Sequence, residues 1–129
     1  MLGKDDGVRD VMAKILIVDD EEMTLEMLST FLELSGHQPL TAMDTQQGWS
    51  VLGYEQPQAI LLDIQLPDKN GLEMCRELRQ DERTVHLPIV MISAHAPPMI
   101  EQAMSAGADE YLAKPIKLKT LQATLDSLL

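Results

Sequence analysis

The sequence predicts an α/β fold, a doubly wound parallel sheet of five strands in the order 2-1-3-4-5 with five helices. Three observations lead to it. Short runs rich in Ile, Leu and Val alternate with stretches of helical periodicity along the 129 residues, which calls for a parallel sheet covered by helices. The first, third and fourth of these runs are continuously apolar, as expected of strands buried on both faces. The second run contains Pro39, which cannot donate to a ladder and is assigned to an edge. With right-handed crossovers, that edge leaves the 2-1-3-4-5 order, flavodoxin-like in its winding.

Residues 1–13 carry charge and glycine without periodicity and read as a flexible leader, followed by a single domain over residues 14–129. Lys14 to Val18 is the first strand, ending abruptly at Asp19-Asp20-Glu21. From Glu22 to Ser35 the pattern is helical: Leu25, Leu28 and Leu32 share a face that Met27, Phe31 and Leu34 widen. Gly36 follows as a left-handed C′ residue. Gln38 to Ala42 is the edge strand. Asp44 reads as the N-cap of a helix through about Leu52 that Gly53 ends, with Trp49 packing it down.

Ala59 to Asp63 is the third strand, followed by a turn over Pro67 to Asn70 and a helix from Gly71 to about Asp81. Leu87 to Ile92 is the fourth, ending at Ser93. Pro97 and Pro98 suit a loop and a first helical turn; Ile100, Ala103 and Met104 then mark a short helix stopped by Gly107. Asp109 to Ala113 is the fifth strand, followed by Lys114-Pro115. Leu118, Leu121, Leu125 and Leu128 line one face of a last helix.

Composition narrows the function. A net charge of −11 argues against gripping nucleic acid, which needs clustered Lys and Arg, and favours protein or cation partners. Aromatic residues make up 3% of the chain, so aliphatic residues and nine Met must fill the core. Cys75 is the single cysteine, which excludes an internal disulfide and favours the cytosol; between Leu72 and Leu78 it reads as a core thiol. No run reaches membrane-spanning length and no signal-peptide pattern opens the chain, so a cytoplasmic location without membrane contact is expected. His37, His86 and His95 are scattered, without the spacing of a zinc site.

In open α/β sheets ligands bind beyond the carboxyl ends of the strands, at the switch point, here between the first and third. Those two strands end in Asp19-Asp20 and Asp63, so the acidic termini are expected to meet. Asp63 alone reads better as a solvated turn residue. Converging carboxylates repel, however, and a hard divalent cation such as Mg²⁺ relieves them. The fourth and fifth strands deliver Ser93 and Lys114 to the same edge, a hydroxyl and an ammonium suited to a phosphoryl group on Asp63.

The ordered set Ile15-Leu16-Ile17-Val18-Asp19-Asp20-Glu21, Leu61 to Gly71, Ser93-Ala94-His95 and Gly107 to Pro115 resembles the receiver domain of bacterial two-component response regulators, over Lys14 to Leu129. The resemblance implies that Asp63 accepts a phosphoryl group from a histidine kinase or a histidine phosphotransfer protein. Asp19 and Asp20 would hold Mg²⁺, Asp20 more directly, with Asp63 and the backbone carbonyl of Gln65 as further ligands. Lys114 would bind phosphoryl oxygens, and Lys114–Pro115 would be a cis peptide. Ser93 and Tyr111 would be the switch residues, remodelling the face of the fourth helix, fifth strand and last helix for a downstream protein, a fused effector or a second copy.

Three departures stand against the family pattern. The loop after Ser93 is about one residue shorter and holds Pro97-Pro98; Gln65 and His95 flank the acceptor, where they can influence the attacking water; and the last helix lacks the arginine expected of members that dimerise to bind DNA. Rival readings are an aspartate-nucleophile phosphohydrolase, opposed by Gln65 where a second Asp is expected, and a receiver-like domain that binds partners without phosphorylation, opposed by the complete Asp, Ser and Lys set. An EF-hand fails because Asp68 stands where its loop needs Gly.

Overall fold

The computed structural model describes residues 13–129, so the leader expected over residues 1–13 lies, but for Ala13, outside the described residues. In chain order the elements are β1 (Lys14–Val18), α1 (Glu22–Leu34), β2 (Gln38–Ala42), α2 (Thr45–Glu55), β3 (Ala59–Asp63), α3 (Gly71–Gln80), β4 (Ile89–Ser93), α4 (Ile100–Ala106), β5 (Glu110–Ala113) and α5 (Leu118–Leu128). The strands form one parallel sheet in the order β2-β1-β3-β4-β5. Pro39 lies on the edge strand, opposite Ile15.

Alternation along the strands sends side chains to two cores. Leu16, Val18, Ile60, Leu62, Ile89 and Met91 pack with α3 and α4, and with Trp49 and Leu52 of α2. Ile15, Ile17, Leu61, Val90 and Ile92 pack with Leu25, Leu28 and Leu32 of α1 and Leu121 and Leu125 of α5. Each such aliphatic side chain contributes about 1.5–3 kcal/mol by leaving water. Cys75 is fully buried in the first core, with Sγ 3.4 Å from the Ala106 carbonyl, and burial pushes its thiol pKa up.

Local chemistry sets the helix ends. Gly36, at φ 89°, closes α1 with the amides of Gly36 and His37 donating to the carbonyls of Glu33 and Leu32. Asp44 caps α2 by accepting from the Gln47 amide at 2.7 Å, and Asn70 caps α3 by accepting from Leu72 at 2.7 Å.

Four boundaries differ from expectation, the first being that Pro97 and Pro98 both precede α4, which starts only at Ile100. Helix α2 continues past Gly53 to Glu55 and ends where Gln56 turns left-handed before Pro57, which has no amide to extend it. Leu87 and Pro88 lie before β4; Pro88 instead offers its carbonyl to the Ile60 amide at 3.0 Å. Asp109 precedes β5, and its carboxylate accepts from the Ile89 amide at 2.8 Å.

Arg79 ties the opposite end of the sheet from the strand carboxyl termini. Its guanidinium donates to the carbonyls of Gly107, Val85 and Leu87 at 2.8, 3.1 and 2.6 Å and to Asp109 at 2.9 Å. Gly107 makes room for it: with φ 109°, an added Cβ would lie 2.6 Å from Arg79 Cγ. Gly71 is the more demanding position. Its amide donates to the Ile64 carbonyl at 2.7 Å, and an added Cβ would overlap the Asp63 carbonyl oxygen and lie 2.9 Å from Ile64 Cα. The first turn of α3 thus rests directly on the backbone that carries Asp63.

Gly71→Ala is therefore expected to lower the unfolding free energy by about 2–3 kcal/mol, since backbone must move to admit the methyl group. Gly53→Ala, whose Cβ meets nothing within 4 Å, should raise it by about 0.5–1 kcal/mol through helix propensity alone. Urea denaturation of the two variants beside the parent checks both signs.

Candidate metal and phosphoryl site

The sheet register decides which side chains meet. Val18 pairs with Leu62, so β1 and β3 end side by side and hand over Asp19 and Asp63 together. Asp63 pairs with Ile92, and Ser93 with Ala113, which brings Ser93 and Lys114 to the same rim. Backbone bonds fix this rim: the Asp19 amide donates to Ala42 at 3.0 Å and the Lys114 amide to Ser93 at 2.8 Å.

Carboxylate oxygens of Asp19, Asp20 and Asp63 lie within 4.8 Å of one another. Asp19 is fully buried, Asp63 nearly so at 4% exposure, and Asp20 faces solvent. Lys114 Nζ stands among them, 2.8 Å from Asp19 Oδ2, 3.1 Å from Glu21 Oε1 and 3.4 Å from Asp63 Oδ2. Asp19 Oδ1 accepts from the Glu21 amide at 2.9 Å, and Asp63 Oδ1 from the Gln65 amide at 3.3 Å.

This crowding shifts protonation. Burial and the nearby charge of Asp19 raise the Asp63 pKa from 3.8 to about 6, against the pull of Lys114 and the Gln65 amide. Burial acts against the Lys114 ammonium, yet Asp19, Asp63 and Glu21 outweigh it and hold its pKa above the ordinary lysine value. Lys114, followed by Thr24, holds Glu21 below the usual carboxylate range.

The residues fit a hard cation. Asp19 Oδ2 is buried and touches Lys114 as an ion, but accepts no aligned hydrogen bond. An oxygen-only donor set with Asp20 open to water is what Mg²⁺ uses, since it keeps several waters and takes one or two carboxylates.

The remaining candidates stand around this centre. Ser93 is fully buried, and its hydroxyl accepts from the His95 amide at 3.0 Å. His95 is exposed, with Nδ1 2.8 Å from the Pro97 carbonyl. Tyr111 is half-buried against the α3–α4 core, and its hydroxyl accepts from the Met99 amide at 3.0 Å, at the start of α4. Lys114–Pro115 is cis, and so is Ala96–Pro97. Gln65 is exposed and pairs across its loop with Asn70.

Sequence reasoning placed Glu21 only as the end of an acidic run. Its contact with Lys114 depends on how the chain enters α1, which no local pattern reveals. The reach of the Asp68 carboxylate to the start of α2 is likewise set by no local pattern.

Comparison with known proteins agrees with this geometry. Residues 15–126 match the family described as the response regulator receiver domain. The chain is 41% identical over 116 residues to the phosphate regulon transcriptional regulatory protein PhoB of Pseudomonas aeruginosa, covering 89% of this chain and 51% of that protein. It thus spans about half the length of that regulator. It is 34% identical to protein PilH of the same organism, covering 92% of this chain and 98% of PilH.

Among solved structures, the chemotaxis response regulator CheY4 of Vibrio cholerae superposes with a TM-score of 0.85 at 28% identity, covering 92% of this chain and all of that one (100%). The receiver domain of a Pseudomonas aeruginosa sensor histidine kinase, solved with a magnesium ion in its active-site cleft, gives 0.83 at 29% identity, covering 92% of this chain and 98% of that one. Strand order, acidic rim and family match converge: the chain belongs to the response regulator receiver domain family.

Proposed function

We propose that this domain is a phosphorylation-dependent signalling switch in which Asp63 accepts a phosphoryl group from a histidine kinase or a histidine phosphotransfer protein. The observation that carries the reading is the position of Asp63: nearly buried, within 4.8 Å of Asp19 and Asp20, with Lys114 Nζ 3.4 Å away. A carboxylate oxygen of Asp63 forms the new P–O bond as the donor's P–N bond breaks, and the imidazole nitrogen leaves with the electron pair. Lys114 moves its charge from a carboxylate to the phosphoryl oxygens, and the Ser93 hydroxyl leaves the His95 amide to donate to them. Asp19, Asp20, Asp63 and the Gln65 carbonyl would hold Mg²⁺, which when bound neutralises charge on the transferring group.

The reaction ends on the protein, so the domain is a signalling acceptor that undergoes self-catalysed transfer and slow autodephosphorylation, not an enzyme turning over external substrates. Gln65, with no acid or base to offer, supports this over the phosphohydrolase reading. The listening surface is α4, β5 and α5: Ile100 and Met104 are exposed there, at 52% and 46%, and Tyr111 reaches Met99 at the start of α4. Remodelling of this face would be read by a protein partner, a fused effector or a second copy. With a net charge of −11, direct nucleic-acid contact by this domain is disfavoured. Among the described residues no helix is long and apolar enough to cross a membrane, and a cytoplasmic setting with the kinase's phosphodonor domain fits the proposal.

Incubation with Mg²⁺ and acetyl phosphate should add one phosphoryl mass to the parent protein and none to Asp63→Asn. An unmodified parent, or equal labelling of the variant, overturns the assignment. Phosphorylation should also shift the backbone resonances of Ser93, Tyr111 and α4; changes limited to the acidic rim would remove the switch.

The raised Asp63 pKa gives a second test on metal-free protein. Unfolded, the carboxyl ionises near 3.8; folded, near 6. Between these values the folded state alone keeps the proton, so stability falls as pH rises through that window and stays lower above it. The shift corresponds to at most about 3 kcal/mol. Asp63→Asn should therefore be more stable than the parent by about 1–3 kcal/mol at pH 7 in chelator, and the gap should close near pH 4. Millimolar Mg²⁺ should narrow it by stabilising the parent; denaturation curves at the two pH values measure all three effects.

A further inference from the structure

Asp68 lies outside the acidic rim but makes three close contacts across the molecule. Its Oδ1 accepts from the Thr45 amide at 3.0 Å, and its Oδ2 accepts from the Thr45 hydroxyl at 2.8 Å and the Gln46 amide at 3.1 Å. These amides open α2, so a carboxylate from another loop satisfies donors that the helix cannot use itself. Asp44 meets the next one, at Gln47. What burial Asp68 has acts to raise its pKa, but hydrogen bonds from Thr45 and Gln46 outweigh it and keep the carboxyl below its ordinary range. Asp68 is thus ionised at neutral pH.

The placement of this bridge is telling. Asp68 sits in the loop after β3, and Thr45 begins the helix after β2. In the sheet, β1 lies between those two strands. The bridge therefore runs over the carboxyl end of β1, the strand that delivers Asp19 and Asp20. The loop that Asp68 anchors also carries Gln65. Its base is fixed by the Gly71 amide on the Ile64 carbonyl at 2.7 Å, and its sides pair at Gln65 and Asn70. Lys69 ties the tip to Glu77 of α3 at 2.8 Å, and Asp68 ties it across to α2.

We propose that Asp68 is a positioning residue for the cation site: by stapling the β3–α3 loop to the start of α2, it holds the Gln65 carbonyl where a divalent ion can use it. The inference rests on the reading of the rim as a Mg²⁺ and phosphoryl site. Without the staple the loop keeps its base and the Lys69 contact to α3 but loses its tie to α2, and Gln65 gains freedom that metal binding must then remove. Thr45 shares the task, being buried at 3% exposure with its hydroxyl spent on Asp68.

Asp68→Ala should weaken Mg²⁺ binding about tenfold by titration calorimetry, in the range seen when residues that orient metal ligands are removed. The Mg²⁺ concentration giving half-maximal acetyl phosphate labelling should rise by the same factor, with the rate at saturating Mg²⁺ little changed. In metal-free protein the Gln65 amide should exchange its hydrogen faster. Thr45→Val removes only the hydroxyl contact and Asp68→Asn keeps an acceptor oxygen, so both should give smaller shifts in the same direction, and both remain informative if Asp68→Ala fails to fold. Unchanged Mg²⁺ affinity in folded variants, even with a lowered melting temperature, overturns the positioning role. If the parent itself binds no Mg²⁺, the reading of the rim fails instead.

Discussion

The ammonium of Lys114 makes the acidic rim tolerable. It lies within 3.4 Å of carboxylate oxygens from Asp19, Glu21 and Asp63, which come from the end of β1, the start of α1 and the end of β3. Lys114 itself follows β5, the far edge of the sheet. One charge therefore ties the outermost strand to the two central ones and offsets repulsion that burial would otherwise magnify. The compensation is incomplete. Asp20 and Asp63 add negative charge that one ammonium cannot balance, and burial, followed by the charge of Asp19, keeps the Asp63 pKa raised despite Lys114. The folded state is poised to take up a cation, a proton or a group that lets Lys114 change partners.

Backbone geometry makes that cluster compact. The β1–β3 register sets Asp19 next to Asp63 without help from side chains, and Gly71 lets α3 begin directly against the Asp63 carbonyl. The Asp63 carboxylate is therefore presented by a buried strand below and a helix start behind. Around it stand Asp20 in solvent just past β1, Ser93 at the end of β4 accepting from the His95 amide, and Tyr111 within β5 accepting from the amide of the residue before α4.

Much of this was legible in the chain. Apolar runs located the strands because a doubly covered sheet requires them, Pro39 marked the edge, and the strand-terminal residues Asp19, Asp63, Ser93 and Lys114 fell on one rim once the order was known. Boundaries were less legible where competing signals met. Gly53 looked like a helix stop, yet in open space it is merely a weaker helix residue, and Pro57 stops the helix instead. Pro88 looked like part of a strand, but a residue without an amide contributes only its carbonyl. Contacts spanning distant segments, Glu21 with Lys114 and Asp68 with Thr45, were invisible, because nothing in local pattern specifies which loop tips touch.

The Arg79 cluster bears on how a disturbance at the rim spreads. Its guanidinium gathers three carbonyls and Asp109, knitting α3, the approach to β4 and the α4–β5 turn into one block. Those same strands end, at their other extremity, on Ser93 and Lys114. The sheet is thus clamped at its foot and electrostatically unsettled at its crown, like a reed fixed in a mouthpiece. Sliding β4 against β5 would break the bonds that Arg79 makes at the foot. The register of these two strands is thus held from their amino-terminal end by a side chain that belongs to neither of them.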